Sequence, residues 1–252
     1  MQSLYQPVAE GRYTLKNVRL ETGFVYDAQE VIRTKTDLFC IEIEGGKIRA
    51  IVANDVHADA IDAGEKLMLP AFKDMHIHLD KTLYGLPWQA LSPKRNTVQD
   101  MIAYEQEIIP ELLKTSVPRA EQLINLLQHY GTTFARTHFN VDTTSGLKSL
   151  ENLERALRNK KRSFGAELVA FPQHGLYYTD SAPLMKEVAQ LKCVDFIGGL
   201  DPFSIDGSIE KPLDFTVQLA LEHHKGIDIH LHEVGESGMK TIRYLIGKAL
   251  EN

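Results

Sequence analysis

From residue 69 onward the sequence repeats one pattern five times: a short apolar run, then a longer segment whose apolar residues recur at helical spacing. A chain written this way builds parallel βα units, because parallel strands need a long crossover and a helix is the usual one. The apolar runs predict strands over residues 69–76, 132–138, 166–173, 194–200 and 227–232. Helical spacing covers residues 98–113, 118–130, 147–161, 183–191 and 213–224, and a sixth helical pattern covers 239–250. Residues 11–68 read differently. Ile41-Glu42-Ile43-Glu44 alternates, Gly45-Gly46 supplies a two-residue hairpin turn, and Lys47-Ile48-Arg49-Ala50-Ile51 alternates back. The chain therefore divides into an N-terminal β-sandwich module over residues 1–68 and a βα domain over residues 69–252.

Alternating units fit both a doubly wound sheet and a β/α barrel. Polar residues crowd the C-terminal end of nearly every predicted strand, which favours a barrel with a catalytic face. No Gly-x-Gly-x-x-Gly or phosphate-loop pattern follows a strand, so no nucleotide cofactor is expected. A full barrel has eight units and typically ~250 residues. The fold class is thus α/β, an incomplete TIM-type (β/α) barrel of the first five units, lacking the last three, preceded by the small β module.

Composition narrows the function. With 43% hydrophobic and 25% charged residues the chain is ordinary globular material. Acidic residues outnumber basic ones 34 to 28, and a net charge of -6 gives no reason to expect a nucleic acid as partner. No basic run precedes an apolar core at the N-terminus and no apolar stretch is long enough to span a bilayer, so the expectation is a soluble cytoplasmic protein. Cys40 and Cys193 stand far apart and suggest neither a disulfide framework nor a thiolate zinc site.

The chemistry starts at His76-Ile77-His78, which closes the first predicted strand. Period-two alternation turns both imidazoles to one side, a spacing suited to two ligands of one metal. The wider segment Leu69-Pro70-Ala71-Phe72-Lys73-Asp74-Met75-His76-Ile77-His78-Leu79-Asp80 resembles the first-strand metal motif of the amidohydrolase superfamily. Further matches follow in order: Arg136-Thr137-His138, Phe171-Pro172-Gln173 and Asp228-Ile229-His230-Leu231-His232-Glu233, all similar to the cytosine deaminase branch.

Carried onto these positions, the resemblance implies that His76, His78 and His230 bind one divalent ion, iron or zinc. Such an ion lowers the pKa of its water toward about 7. Hydroxide would attack the ring carbon bearing the amino group, with Glu233 as proton shuttle. Gln173, able to donate and accept together, would read the polar edge of a pyrimidine or similar ring. On the fifth strand, strict alternation puts His230 and His232 on one face and Glu233 on the other. The family's His-x-x-Glu spacing favours His230, with His232 as the alternative ligand or a second pocket residue. The deaminases built on His-x-Glu and Pro-Cys-x-x-Cys are excluded, since no such cysteine pair exists.

Three more residues are substrate-pocket candidates. His138 sits at a strand end, for a supporting hydrogen bond or a structural place. Trp88 would cover a flat substrate or simply pack. His174 stands where the cytosine deaminase pattern carries an acidic residue, which weakens the assignment to cytosine itself. Asp80 and Lys81 would tether the first loop or remain surface charges, and His57, His129, His223 and His224 fall away from the catalytic face. The family also uses a histidine after the sixth strand and an aspartate after the eighth. The expectation is therefore a metal-dependent deaminase or hydrolase of cytosine or a related N-heterocycle, inactive and self-associating as a truncated 252-residue chain. The alternatives are removal of another amine or amide substituent from a triazine-like ring, and a non-catalytic remnant serving interaction. The expected partner is a small N-heterocycle, with no nucleic acid and no membrane, and a homo-oligomer is compatible.

Overall fold

The Gly45-Gly46 pair turns the chain as its sequence predicts, with φ of 57° and 74°, the two left-handed conformations of a type I′ hairpin turn. It joins β2 (Glu30–Glu44) to β3 (Lys47–Ala53) in a computed structural model that describes residues 11–55, 59–88, 90 and 97–251. Contacts divide the chain into two compact units, residues 1–70 and 71–252. In the first, β1 (Arg12–Asp27) pairs antiparallel with β2, and β4 (Ile61–Asp62) adds parallel to β1, giving the order β3-β2-β1-β4. The β1–β2 register shifts between Leu15 and Val18. Asn17 sits there at φ 55°, its amide N–H donating to Asn54 Oδ1 at 2.9 Å. Where two facing sheets were expected, the described residues form one four-stranded sheet, with Val18, Cys40 and Ile41 buried.

The second unit opens with β5 (Phe72–Ile77), followed by β6 (Thr132–Asn140), β7 (Gly165–Phe171), β8 (Phe196–Leu200) and β9 (Gly226–His230). All four neighbouring pairs are parallel and the spatial order is the sequence order, β5-β6-β7-β8-β9. A doubly wound sheet reverses its order at a switch point. This one does not, which decides between the two architectures. A flat five-stranded sheet would hold its outer strands about 19 Å apart, further than two imidazole side chains reach. Nε2 of His78, one residue past β5, nevertheless lies 3.3 Å from Nε2 of His230 on β9. The sheet is therefore curled into a half-barrel.

Alternation sorts the strand residues between two faces. Leu79, Ala135, Phe139, Leu168, Ala170 and Ile197 belong to the apolar core that the helices complete with residues such as Ile124, Leu153, Met185 and Leu219. These come from α2 (Ser116–His129), α3 (Lys148–Lys160), α4 (Ala182–Ala189) and α6 (Glu210–His223). The intervening residues, His76, His78, Arg136, His138, Asp228 and His230, take the concave side. Three further helices are α1 (Val98–Lys114), α5 (Pro202–Asp206) and α7 (Gly235–Glu251). At the start of α1, Thr97 Oγ1 accepts from the Asp100 amide at 3.0 Å and Asp100 Oδ2 accepts from the Thr97 amide at 3.1 Å, a reciprocal capping box. Thr97→Ala is expected to cost about 1 kcal/mol, read as a lower urea midpoint. An unchanged midpoint would show that the box adds nothing.

Candidate metal centre

The curl brings together side chains from strands that are not neighbours. His76 and His78 come from β5 and the residue after it, His138 from β6 and His230 from the end of β9. Each offers one ring nitrogen, and the four nitrogens lie within 4.8 Å of one another. They gather at the C-terminal ends of the strands, the face where such folds place their chemistry. Ring centroids of His76 and His138 are each 4.5 Å from His230. Phe171, the last residue of β7, stacks on His230 at 4.0 Å with planes 22° apart.

The donors fit a divalent transition ion. Nδ1 of His138 is buried without a hydrogen-bond partner while its Nε2 faces Asp228, so Nδ1 is the nitrogen left for an ion. Two nitrogens bound at about 2.05 Å with a tetrahedral angle between them stand about 3.3 Å apart, and Nε2 of His78 and His230 are 3.3 Å apart. Burial, reinforced by neighbouring charges, pushes His230 down to about 3 and His78 well below the usual imidazole range. Both rings are thus neutral at physiological pH, the form that binds metal. An all-imidazole set suits zinc or iron better than magnesium or calcium, which prefer oxygen.

Behind the cluster, Asp228 holds His138: its Oδ1 lies 3.1 Å from His138 Nε2, and its Oδ2 is 3.2 Å from Arg136. Arg136 also pairs with Glu167 at 2.9 Å. The hydrogen bond from His138 holds the Asp228 carboxyl below the usual carboxylate range, against the opposing effect of burial. Sequence reasoning passed over Asp228 and Phe171 as functional residues. The signal was present, because Asp228 lies two positions before His230 and period two puts both on one face.

The remaining sequence-predicted residues are distributed as follows. Gln173 is half-buried, two positions past β7. His232 lies beyond β9 and outside the four-histidine group; its Nδ1 is 2.7 Å from Asp201 Oδ2. Glu233 accepts at Oε1 from the amides of Phe203 and Ser204, at 2.9 and 2.8 Å, and from Ser204 Oγ at 3.2 Å. Trp88 is 88% exposed, with no cover over it among the described residues. Asp80 is buried and accepts from the Asn140 amide, Lys81 pairs with Glu105, and His174 is fully buried. His57 lies outside the described residues, whereas His129 and His223 end helices and His224 caps one. No helix among the described residues is long and apolar enough to cross a membrane.

No family model matches the chain. It is 49% identical over 244 residues to the uncharacterized protein YahJ of Escherichia coli strain K12, covering 95% of this chain and 53% of that protein. It is 30% identical over 227 residues to the N-isopropylammelide isopropyl amidohydrolase of Pseudomonas sp. strain ADP, covering 86% of this chain and 55% of that protein. Among solved structures, the 5-methylcytosine deaminase of Klebsiella pneumoniae liganded with 5-fluorocytosine superposes with a TM-score of 0.75 at 26% identity, over 94% of this chain and 55% of that one. The chain spans about half the length of the curated relatives it matches. Motifs, half-barrel and relatives agree: the chain's homologues and structural neighbours are members of the amidohydrolase superfamily, and the chain resembles them and the cytosine deaminase-like branch among them.

Proposed function

We propose that this chain binds one divalent ion, zinc or iron, through His76, His78 and His230, with His138 beside them, and serves the hydrolytic removal of an amine from an N-heterocycle such as cytosine. The observation that carries this reading is the convergence of four imidazoles, each offering one ring nitrogen within 4.8 Å of the others. When bound, the ion supplies a Lewis acid and a water of lowered pKa. The chain's own residues do the rest. Asp228 fixes the His138 ring through Nε2, Phe171 closes one wall against His230, and Gln173 presents an amide to the paired polar edge of the ring. Glu233 moves the proton between water, ring nitrogen and departing amine.

A second reading is favoured by one feature. A cavity of about 230 Å³ opens beside His78, lined by Leu83, Met101, Ile108, Ile109 and Leu112 together with Lys81 and Glu105. Its aliphatic wall suits a branched alkyl group on the leaving amine, as in an alkylamino triazine-like ring. A panel of cytosine, 5-methylcytosine and N-isopropylammelide on zinc- and iron-loaded protein separates the two. Ammonia from the pyrimidines supports the first reading, and isopropylamine release ahead of ammonia supports the second. Metal-loaded protein that turns over none of the three would overturn both and leave the inactive chain expected from the sequence.

A further inference from the structure

A second cluster of charge lies beside that cavity and takes no part in the mechanism above. His174 is fully buried, and each of its ring nitrogens faces a different carboxylate: Nε2 is 3.5 Å from Glu105 Oε2 and Nδ1 is 3.4 Å from Asp142 Oδ1. These are ion-pair contacts that do not meet hydrogen-bond geometry, and neither ring nitrogen has another partner. A neutral imidazole has one N–H, so it would turn a lone pair toward one of the two carboxylates; only imidazolium presents a donor to both.

Glu105, on α1, spends both oxygens on Lys81 Nζ, each at 2.9 Å. Asp142, after β6, is fixed by the amides of Thr144 and Ser145 at 2.8 Å and by Asn140 Nδ2 at 3.1 Å. The four charges of Lys81, Glu105, His174 and Asp142 cancel when His174 is protonated. With His174 neutral, the cluster would carry an unbalanced negative charge away from water, which is costly.

We propose that His174 is a positioning residue: held as imidazolium between Asp142 and Glu105, it orients Glu105 and, through it, Lys81 on the cavity wall next to His78. It acts without touching the metal ligands. Glu105 and Asp142 are the charged groups that face it, one from α1 and one from the loop after β6. Burial alone would lower its pKa, but the two flanking carboxylates outweigh that and raise it, while both carboxyls are held below their usual range. An acidic residue at this position would face two carboxylates instead of neutralising them, so the histidine and its two acids form one unit.

The effect of this unit on turnover rests on the function proposed above; its charge and its hold on Lys81 do not. The test therefore has separate arms. Long-range proton–nitrogen spectra of histidine-labelled protein, with the His174 signals assigned from His174→Gln, are expected to show both ring nitrogens protonated at pH 7.5. A single-N–H tautomer at that pH overturns the proposal, and should the variant fail to fold, the signals are assigned through their correlations to the His174 backbone. In His174→Gln, acylation of Lys81 by a water-soluble ester, followed by mass spectrometry, should speed up by at least about tenfold, as expected when its charged partner is no longer held. Zinc stoichiometry should stay unchanged. An unchanged Lys81 rate at intact fold means that His174 is only structural. On the substrate found by the panel, KM should rise in His174→Gln with kcat preserved, and loss of kcat alone would contradict positioning. Failure of the panel with success of the first two arms would refute the function and leave the clamp standing.

Discussion

His230→Ala is expected to abolish stoichiometric zinc binding, with affinity falling by more than the ~10–100-fold that follows loss of a partner around a ligand. His230 is the residue on which the cluster converges: its Nε2 meets His78 at 3.3 Å, its ring centroid lies 4.5 Å from those of both His76 and His138, and Phe171 locks it by stacking. It is also the only member supplied by β9. Without it, the ion would keep only His76 and His78 of its three proposed ligands. Zinc sites with an open position still hold three protein ligands, so the alanine variant falls below that minimum. His232→Ala is the control, since His232 is tied to Asp201 outside the group. Asp228→Asn should give the smaller, ~10–100-fold loss of a supporting partner. Competition against a chelator of known affinity, read as zinc retained per chain, distinguishes the three. Retention of one zinc by His230→Ala, or its loss in His232→Ala, would put the centre elsewhere.

Much of this arrangement was legible in the sequence because it follows from local periodicity. Strand β6 begins at Thr132, where the apolar run begins, and the Gly45-Gly46 turn and the βα order are set by residue types a few positions apart. What could not be read are features fixed by distant partners. Helix α5 has five residues, too few to show a period, and its first turn is held by Glu233 from beyond β9. The strand read as running to residue 232 ends at His230, because Asp201 Oδ1 takes the His232 amide at 2.5 Å and removes it from the ladder. For this reason strict alternation could not choose between His230 and His232: the second is no longer on the strand. His138 was legible as a strand-end histidine, but its place among the other three depends on the curl of the sheet, which no local pattern encodes. The Glu105–His174–Asp142 set joins a helix and two loops, and the sequence hinted at it only through His174, which follows Gln173 where the cytosine deaminase pattern carries an acidic residue.

Glu233 offers the sharpest division between a chemical and an architectural role. Its carboxylate joins α5 to the start of α7, accepting from two amides and Ser204 Oγ, with Thr241 Oγ1 at 3.5 Å from its second oxygen. A pure clamp needs an acceptor there and not a charge that can take up and release a proton. Glu233→Gln keeps an amide oxygen able to accept those bonds but cannot shuttle a proton at neutral pH. Glu233→Ala loses both abilities. If Glu233 is the shuttle, the glutamine variant should lose ~10²–10⁴ in kcat on the panel's substrate, the range that general acid–base catalysis contributes. Its melting temperature and zinc content should stay near those of the parent. The alanine variant should lose turnover and also melt earlier, since the amides of Phe203 and Ser204 are left without their acceptor. A glutamine variant that turns over normally while the alanine variant melts early would assign Glu233 to architecture alone, and the proton would then have to move through another group at the site.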